Sequence, residues 1–225
     1  MTYIPLFFDP KGFRVLVFGG GEVGSRRARM FAEAGAHVSI IALEFSERAK
    51  ELSQKGMAEL VRLDVLREHD RVEALIDKAD IVVIATGNPR VDNEVYEMAS
   101  RKGKLINNAT DSSKGNVIVP FMGEVGGFHI AVTTLGKSSI AAKHALRRLI
   151  KTLENDKQLQ ALLHSLSRIK EELKSTINDP RKRMDIYKAI ENDEKFWSMI
   201  NQGDPDKAYK RARQLLNTYK RVEGQ

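Results

Sequence analysis

Val15-Leu16-Val17-Phe18-Gly19-Gly20-Gly21-Glu22-Val23-Gly24 is the stretch whose reading decides the fold. An apolar run enters Gly19-x-Gly21-x-x-Gly24, and a helix-periodic segment from Ser25 to Ala34 follows. Strand, glycines and helix in that order form a dinucleotide-binding turn of Rossmann type. Gly19 permits the tight turn. Gly21, lacking Cβ, lets the backbone approach a pyrophosphate, with Glu22 and Val23 over it. Gly24 lets the helix pack on the strand. Amides at the helix start then face the phosphates with the positive end of the helix dipole. The competing reading is a glycine-rich turn that binds nothing.

Outward from this turn, strand and helix patterns alternate. Strands are expected at Arg14–Phe18, His37–Ala42, Leu60–Leu63, Ile81–Ala85 and Leu105–Asn107. Helices are expected at Ser46–Lys55, Arg71–Lys78 and Pro89–Lys102, with Gly35, Gly56 and Gly103 just past helix ends. Such alternation predicts a parallel sheet covered on both faces. After Asn107 the pattern changes to two short strand-like runs, Val117–Pro120 and His129–Thr134, around a Gly-rich turn. From Ser138 onward the period is helical: Ile140–Leu153, Leu159–Lys174, Arg181–Asn192 and Lys207–Tyr219, broken at Asn178-Asp179-Pro180 and Gly203-Asp204-Pro205. The expected architecture is α/β: a Rossmann-like nucleotide domain over residues 1–112, a strand-rich dimerisation segment over 113–150, and a helical C-terminal domain over 151–225.

Composition narrows the chemistry. The 225-residue chain has no cysteine, which excludes disulfides, thiolate nucleophiles and cysteine-ligated metal. No apolar run reaches the roughly 18–20 residues of a membrane span, and the first residues lack the pattern of a secretory signal. The cytoplasm is the expected location, with no membrane partner. Net charge is +7 with a pI near 9.5. A basic balance suits nucleic acid, an acidic membrane face or a polyanionic small molecule. Basic and acidic residues are interspersed and no nucleic-acid-binding signature appears, so no nucleic-acid partner is expected. The histidines show no paired metal-ligand spacing, and no metal is expected.

Ligands of open parallel sheets bind at the carboxyl ends of the strands. There, Leu43 and Glu44 follow the second strand, with Glu44 near the place of a ribose-binding acid; the alternative is a solvated loop acid. No Arg directly follows that strand, which favours NAD over NADP. Thr86-Gly87-Asn88-Pro89 follows the buried fourth strand: either Thr86 lies beside the nicotinamide ribose, or the segment is an ordinary turn capped by Asn88. Asp111, in the polar run after the fifth strand, is placed to act as a general base or to cap a turn. Thr133–Ser139, with Lys137, reads as an anion site or as the N-cap of the next helix. Phe196-Trp197 reads as helix packing.

Several of these segments together resemble the dehydrogenase module of siroheme synthases and the free-standing precorrin-2 dehydrogenases. They are Ile4-Pro5-Leu6-Phe7, the glycine turn through Ser46, the segments VVIATGNPRVDNEV, INNATD and VIVPF, and IAVTTLGKSSIAA with its basic helix. The match covers about residues 3–150 and continues loosely into the tail. The resemblance implies NAD-dependent oxidation of precorrin-2 to sirohydrochlorin, one hydrogen leaving as hydride and one as proton. Some family members also insert iron. It implies a homodimer exchanging or pairing residues 115–150, and it gives the basic balance a partner: an octacarboxylate substrate, with Lys137, Lys143, Arg147 and Arg148 placed to pair with it. The family's catalytic aspartate follows an asparagine by three residues. Counted from Asn107 that place holds Thr110, and Asp111 comes one later. A second functional reading is a non-catalytic NAD(H)-sensing module whose basic tail contacts DNA or a protein.

Overall fold

The computed structural model describes residues 3–223, with side chains through residue 221. Met1, Thr2, Gly224 and Gln225, which the readings of the two ends include, lie outside the described residues. Five strands form one parallel sheet: β1 (Arg14–Phe18), β2 (His37–Ala42), β3 (Glu59–Arg62), β4 (Ile81–Ile84) and β5 (Leu105–Asn108). Their order is β3-β2-β1-β4-β5. Helices α1 (Glu22–Glu33), α2 (Glu47–Gln54), α3 (His69–Lys78) and α4 (Pro89–Arg101) connect them. Val15, Val17, Ile81 and Val83 pack with Ala28, Phe31, Ala49 and Leu52 of α1 and α2. Leu16, Phe18, Val82 and Ile84 pack with Val72 and Ile76 of α3 and Val95 and Met98 of α4. Burial on both faces is why β4 reads as an unbroken apolar run instead of an alternating one. The chain winds outward from β1 to β3, then crosses back to β4 on the other side of β1. The β1–β4 boundary is therefore the point where strand order reverses, and a ligand crevice opens at the carboxyl ends there.

Helix α1 starts at Glu22, three residues before the expected Ser25, because the glycine turn feeds directly into the helix. The expected strand at Val117–Pro120 is absent. Instead β6 (Phe121–Val125) pairs antiparallel with β7 (Phe128–Val132). Pro120 has no N–H to give to a ladder. Gly126 and Gly127, at φ +56° and +83°, make a two-residue turn that sets Val125 opposite Phe128. Beyond the hairpin come α5 (Ser139–Asn155), α6 (Lys157–Thr176), α7 (Pro180–Glu191), α8 (Glu194–Asn201) and α9 (Pro205–Glu223). The short helix α8 has no counterpart among the expected helices; about two turns between two breaks leave little periodicity to detect.

The chain divides into two compact units. The first holds the chain to Val119 together with Leu135–Lys137. The second holds Pro120–Thr134 and the chain from Ser138 onward. In the second unit Ile169, Leu173, Ile186, Ile190, Phe196, Ile200 and Leu216 form a core. Beside it Arg211 clasps Asp193, with Nη2 2.6 Å from Oδ2. Asp193 also caps α8 by accepting from the Phe196 N–H at 2.7 Å. The Arg211 bonds hold the Asp193 carboxyl below the usual aspartate range, against the opposing effect of desolvation. Phe196 is buried, whereas Trp197 is partly exposed and donates its indole N–H to the Glu191 carbonyl at 2.7 Å. No helix among the described residues is long and apolar enough to cross a membrane.

Candidate functional site

The glycine turn has four glycines in four different situations. At φ +120°, Gly19 bends the chain against β4, and a Cβ there would collide with the Ala85 carbonyl. On Gly24 a Cβ would strike the Gly19 carbonyl, so the first turn of α1 lies directly on the turn that precedes it. Gly20 is pressed against the Glu44 carbonyl, and its own carbonyl accepts from the Ser46 N–H at 2.9 Å. Gly21 differs: at φ −81°, ψ −171° its backbone is ordinary and no heavy atom lies within 4 Å of a built Cβ. It is also the N-cap of α1, where no side chain caps the helix. The first amides of a helix lack intrahelical acceptors. Uncapped amides above a Cβ-free floor fit a dinucleotide's pyrophosphate. Two serines that the sequence reading did not single out brace this turn. Ser25 Oγ donates to the Gly21 carbonyl at 2.8 Å and lies 3.1 Å from Ser46 Oγ, the N-cap of α2.

Around the turn, Val23 and Leu43 are exposed apolar side chains. Glu44 lies two residues beyond β2 with an exposed side chain, and it forms no ion pair among the described residues. Glu22 is bound 2.7 Å from Arg48, in the first turn of α2, and both ends of that pair are largely exposed. The nearest guanidinium after β2 is thus already paired.

Across the β1–β4 boundary, Thr86 follows β4, and Asn88 caps α4 by accepting from the Arg90 and Val91 N–H groups. The structure adds Asp92, which carries no sequence signal. This acid is 5% exposed. Its Oδ1 accepts from the Thr86 N–H at 3.2 Å and from Thr86 Oγ1 at 2.5 Å. Its Oδ2 is buried without a hydrogen-bond partner.

The turn after β5 gives its two asparagines different roles. Successive strand residues face opposite sides of a sheet. Asn107 sends its Nδ2 to the Val117 carbonyl at 2.9 Å. Asn108 organises the turn: its Oδ1 accepts from the Thr110 N–H at 3.0 Å and the Asp111 N–H at 2.8 Å. Asp111 therefore stands three residues after the asparagine that builds the turn. Asp111 is exposed, and its Oδ1 accepts from the Ser113 Oγ at 2.6 Å and N–H at 3.0 Å. These bonds hold its carboxyl below the ordinary aspartate value. The same unit brings in Leu135–Lys137. Gly136, at φ +87°, passes so close to Ser112 that a Cβ would press on its hydroxyl. Leu135 is held at φ +52°, a conformation that costs a side-chain-bearing residue energy and recurs at ligand sites. The exposed Lys137 rides on this loop. Ser138 is the N-cap of α5, accepting from the Ala141 N–H at 3.2 Å. Lys143, Arg147 and Arg148 are exposed on α5, in the second unit, with Lys143 and Arg147 one helical turn apart.

Comparison with known proteins places this geometry among relatives. Residues 6–121 match the family described as "Putative NAD(P)-binding". The chain is 29% identical over 219 residues to a precorrin-2 dehydrogenase of Methanosarcina barkeri, covering 97% of this chain and 95% of the relative. It is 30% identical over 195 residues to a Methanocaldococcus jannaschii protein named "Putative precorrin-2 dehydrogenase", covering 86% and 92%. A siroheme synthase of Yersinia enterocolitica is 30% identical over 143 residues, which is 64% of this chain and 29% of that longer protein. Among solved structures, SirC, a precorrin-2 dehydrogenase, superposes with a TM-score of 0.68 at 22% identity, covering 94% and 99%. That likeness shows a shared fold.

Proposed function

The chain belongs to the family of precorrin-2 dehydrogenases, and from that premise we propose that it oxidises precorrin-2 to sirohydrochlorin with NAD as the electron acceptor. The observation that carries the reading is the open, Cβ-free floor at Gly21 beneath the uncapped start of α1, at the point where strand order reverses. NAD, when bound, supplies the two-electron acceptor that takes one substrate hydrogen as hydride.

The chain's own residues bind, orient and take the proton. Gly19 and Gly24 shape the turn, and the amides at Glu22, Val23 and Gly24 hold the pyrophosphate. Val23 and Leu43 offer apolar surface beside the Gly21 floor, Glu44 accepts from ribose hydroxyls, and Thr86 lies at the nicotinamide side. Asp111, held in place by Ser113, takes the proton that leaves with the second hydrogen. Lys137, Lys143, Arg147 and Arg148 pair with carboxylates of the tetrapyrrole, and charge-assisted contacts of this kind both steer and orient a polyanion. Neutralising each cation singly is expected to raise the Michaelis constant for precorrin-2 and leave that for NAD unchanged.

The assembly proposed is a homodimer. The β6–β7 hairpin packs against α5, with Gly123 close to Ile150 and Leu146, and it leaves Phe121 and Met122 exposed. Pairing with a second copy would cover this surface. The reading needs no nucleic acid and no membrane, and it places the enzyme in the cytoplasm. The test is anaerobic incubation of the protein with enzymatically made precorrin-2 and NAD, following sirohydrochlorin and NADH absorbance. Formation of both at equal rates is the expected result. NAD binding without turnover would instead favour a sensor, and light scattering showing a monomer would remove the dimer.

A further inference from the structure

A buried carboxylate stands directly behind the proposed nicotinamide side of the site. Asp92 Oδ1 receives both the N–H and the hydroxyl proton of Thr86, the latter over 2.5 Å. The Thr86 oxygen also accepts the Asn88 N–H at 3.1 Å. A hydroxyl has one proton and two lone pairs. Of the two acceptors within reach of the proton, Asp92 Oδ1 is much nearer than the Asn88 carbonyl at 3.4 Å, and one lone pair takes the Asn88 N–H, so a single acceptor position remains on a side chain that is only partly buried. Asp92 itself is 5% exposed and its Oδ2 has no partner. An asparagine or serine would hold the same turn without burying a charge, and a buried polar atom left unpaired costs stability. A charge placed there nonetheless gives something a neutral group does not. It fixes the direction of the short, charge-assisted bond, with the threonine always the donor.

We propose that Asp92 is a positioning residue that makes Thr86 Oγ1 an obligate hydrogen-bond acceptor toward the nicotinamide-ribose half of the dinucleotide. The group recognised is then a donor, a ribose hydroxyl or the carboxamide N–H. This rests on the functional reading above, specifically on Thr86 lining the cofactor site. In the isosteric Asp92→Asn variant the oxygen that accepts from the Thr86 N–H and hydroxyl becomes neutral. The charge-assisted hold on the threonine proton is lost, and the proton can turn to the Asn88 carbonyl, 3.4 Å away, or toward the ligand.

The experiment is calorimetric titration of the full chain with NAD and with ADP, which lacks the nicotinamide ribose. The proteins are wild type, D92N, T86V, T86S and the double variant D92N/T86V. Wild type is expected to bind NAD, and D92N and T86V each to bind it about tenfold more weakly, the effect of one hydrogen bond. T86S is expected to stay within threefold of wild type, since it keeps the hydroxyl. ADP is expected to bind D92N and wild type alike. In the T86V background D92N should change NAD affinity less than twofold, because Asp92 acts through the missing hydroxyl. An equal loss from D92N in both backgrounds, an equal loss for ADP and NAD, or unchanged NAD affinity in D92N would each overturn the proposal. T86S losing as much as T86V would do the same, and it needs no change at Asp92. Turnover of precorrin-2 by wild type, read separately, keeps the dehydrogenase reading standing if the Asp92 proposal fails.

Discussion

Gly21→Ala separates the role of the glycine turn in folding from its role in binding. The Gly21 backbone sits at φ −81°, ψ −171°, a conformation open to any residue, and its added methyl would meet nothing within 4 Å. The folded protein therefore accepts alanine without strain, while the unfolded chain loses freedom. A glycine-to-alanine change at such a site stabilises by about 0.4–1 kcal/mol. For a chain of this size that raises Tm by roughly 1–4 °C. The same methyl would stand on the floor that the pyrophosphate needs. Losing one charge-assisted bond from the α1 amides costs about 1.5–3 kcal/mol, which is roughly 10- to 150-fold in affinity. Thermal melting with and without NAD, together with calorimetric titration, reads both effects. The variant should melt slightly higher alone and gain little from NAD. Wild-type NAD affinity in a protein with the raised Tm would refute the placement of the pyrophosphate over Gly21.

Other substitutions act through different physics. Gly24→Ala drives a methyl into the Gly19 carbonyl; overpacking of this kind costs about 1–3 kcal/mol, so Tm should fall by several degrees, in contrast to Gly21→Ala. Glu22→Gln releases Arg48, and because the pair is exposed the stability should hardly change. The ratio of kcat/KM with NADP to that with NAD should rise at least threefold, since a free guanidinium can meet a 2′-phosphate (about 0.65 kcal/mol for threefold). Asp193 titrates below its unfolded-state value because of Arg211. Its contribution to stability is thus complete above about pH 4 and is lost as pH falls from there through the depressed folded value. Asp193→Asn should lower Tm clearly at pH 7, with the gap to wild type narrowing between pH 4 and pH 3; a gap independent of pH would show that the charge is irrelevant.

Features that rest on a few adjacent residues were legible in the chain. Strands β1 and β2 begin and end where expected, because apolar runs bounded by glycines and charged residues state their own limits. Helix α4 begins at the expected Pro89, where proline at a first helical position follows the capping Asn88, whereas α7 begins at Pro180, one residue before the expected Arg181, behind the cap Asp179. The close contacts at Gly19 and Gly24 also match the reason for a glycine at each place. Where partners come from far along the chain, the reading ran out. Val117–Pro120 was expected to pair, but the strand slid to Phe121 because the Gly126-Gly127 turn sets the register from the other end.

The sequence by itself determined a nucleotide-binding α/β architecture, the place of its glycine turn and its family, because absent Cβ atoms, missing N–H groups and hydrophobic period are local properties. Only the tertiary structure decided which asparagine builds the Asp111 turn. Asn107 and Asn108 are chemically identical, and the sheet sends one to Val117 and the other to the turn. It alone also placed Asp92 behind Thr86. A carboxylate one turn into a helix is unremarkable in one dimension and becomes a buried, half-satisfied charge when α4 packs on the end of β4. Burial and hydrogen-bond direction are set by what surrounds a group on all sides, and most of those neighbours are distant in sequence.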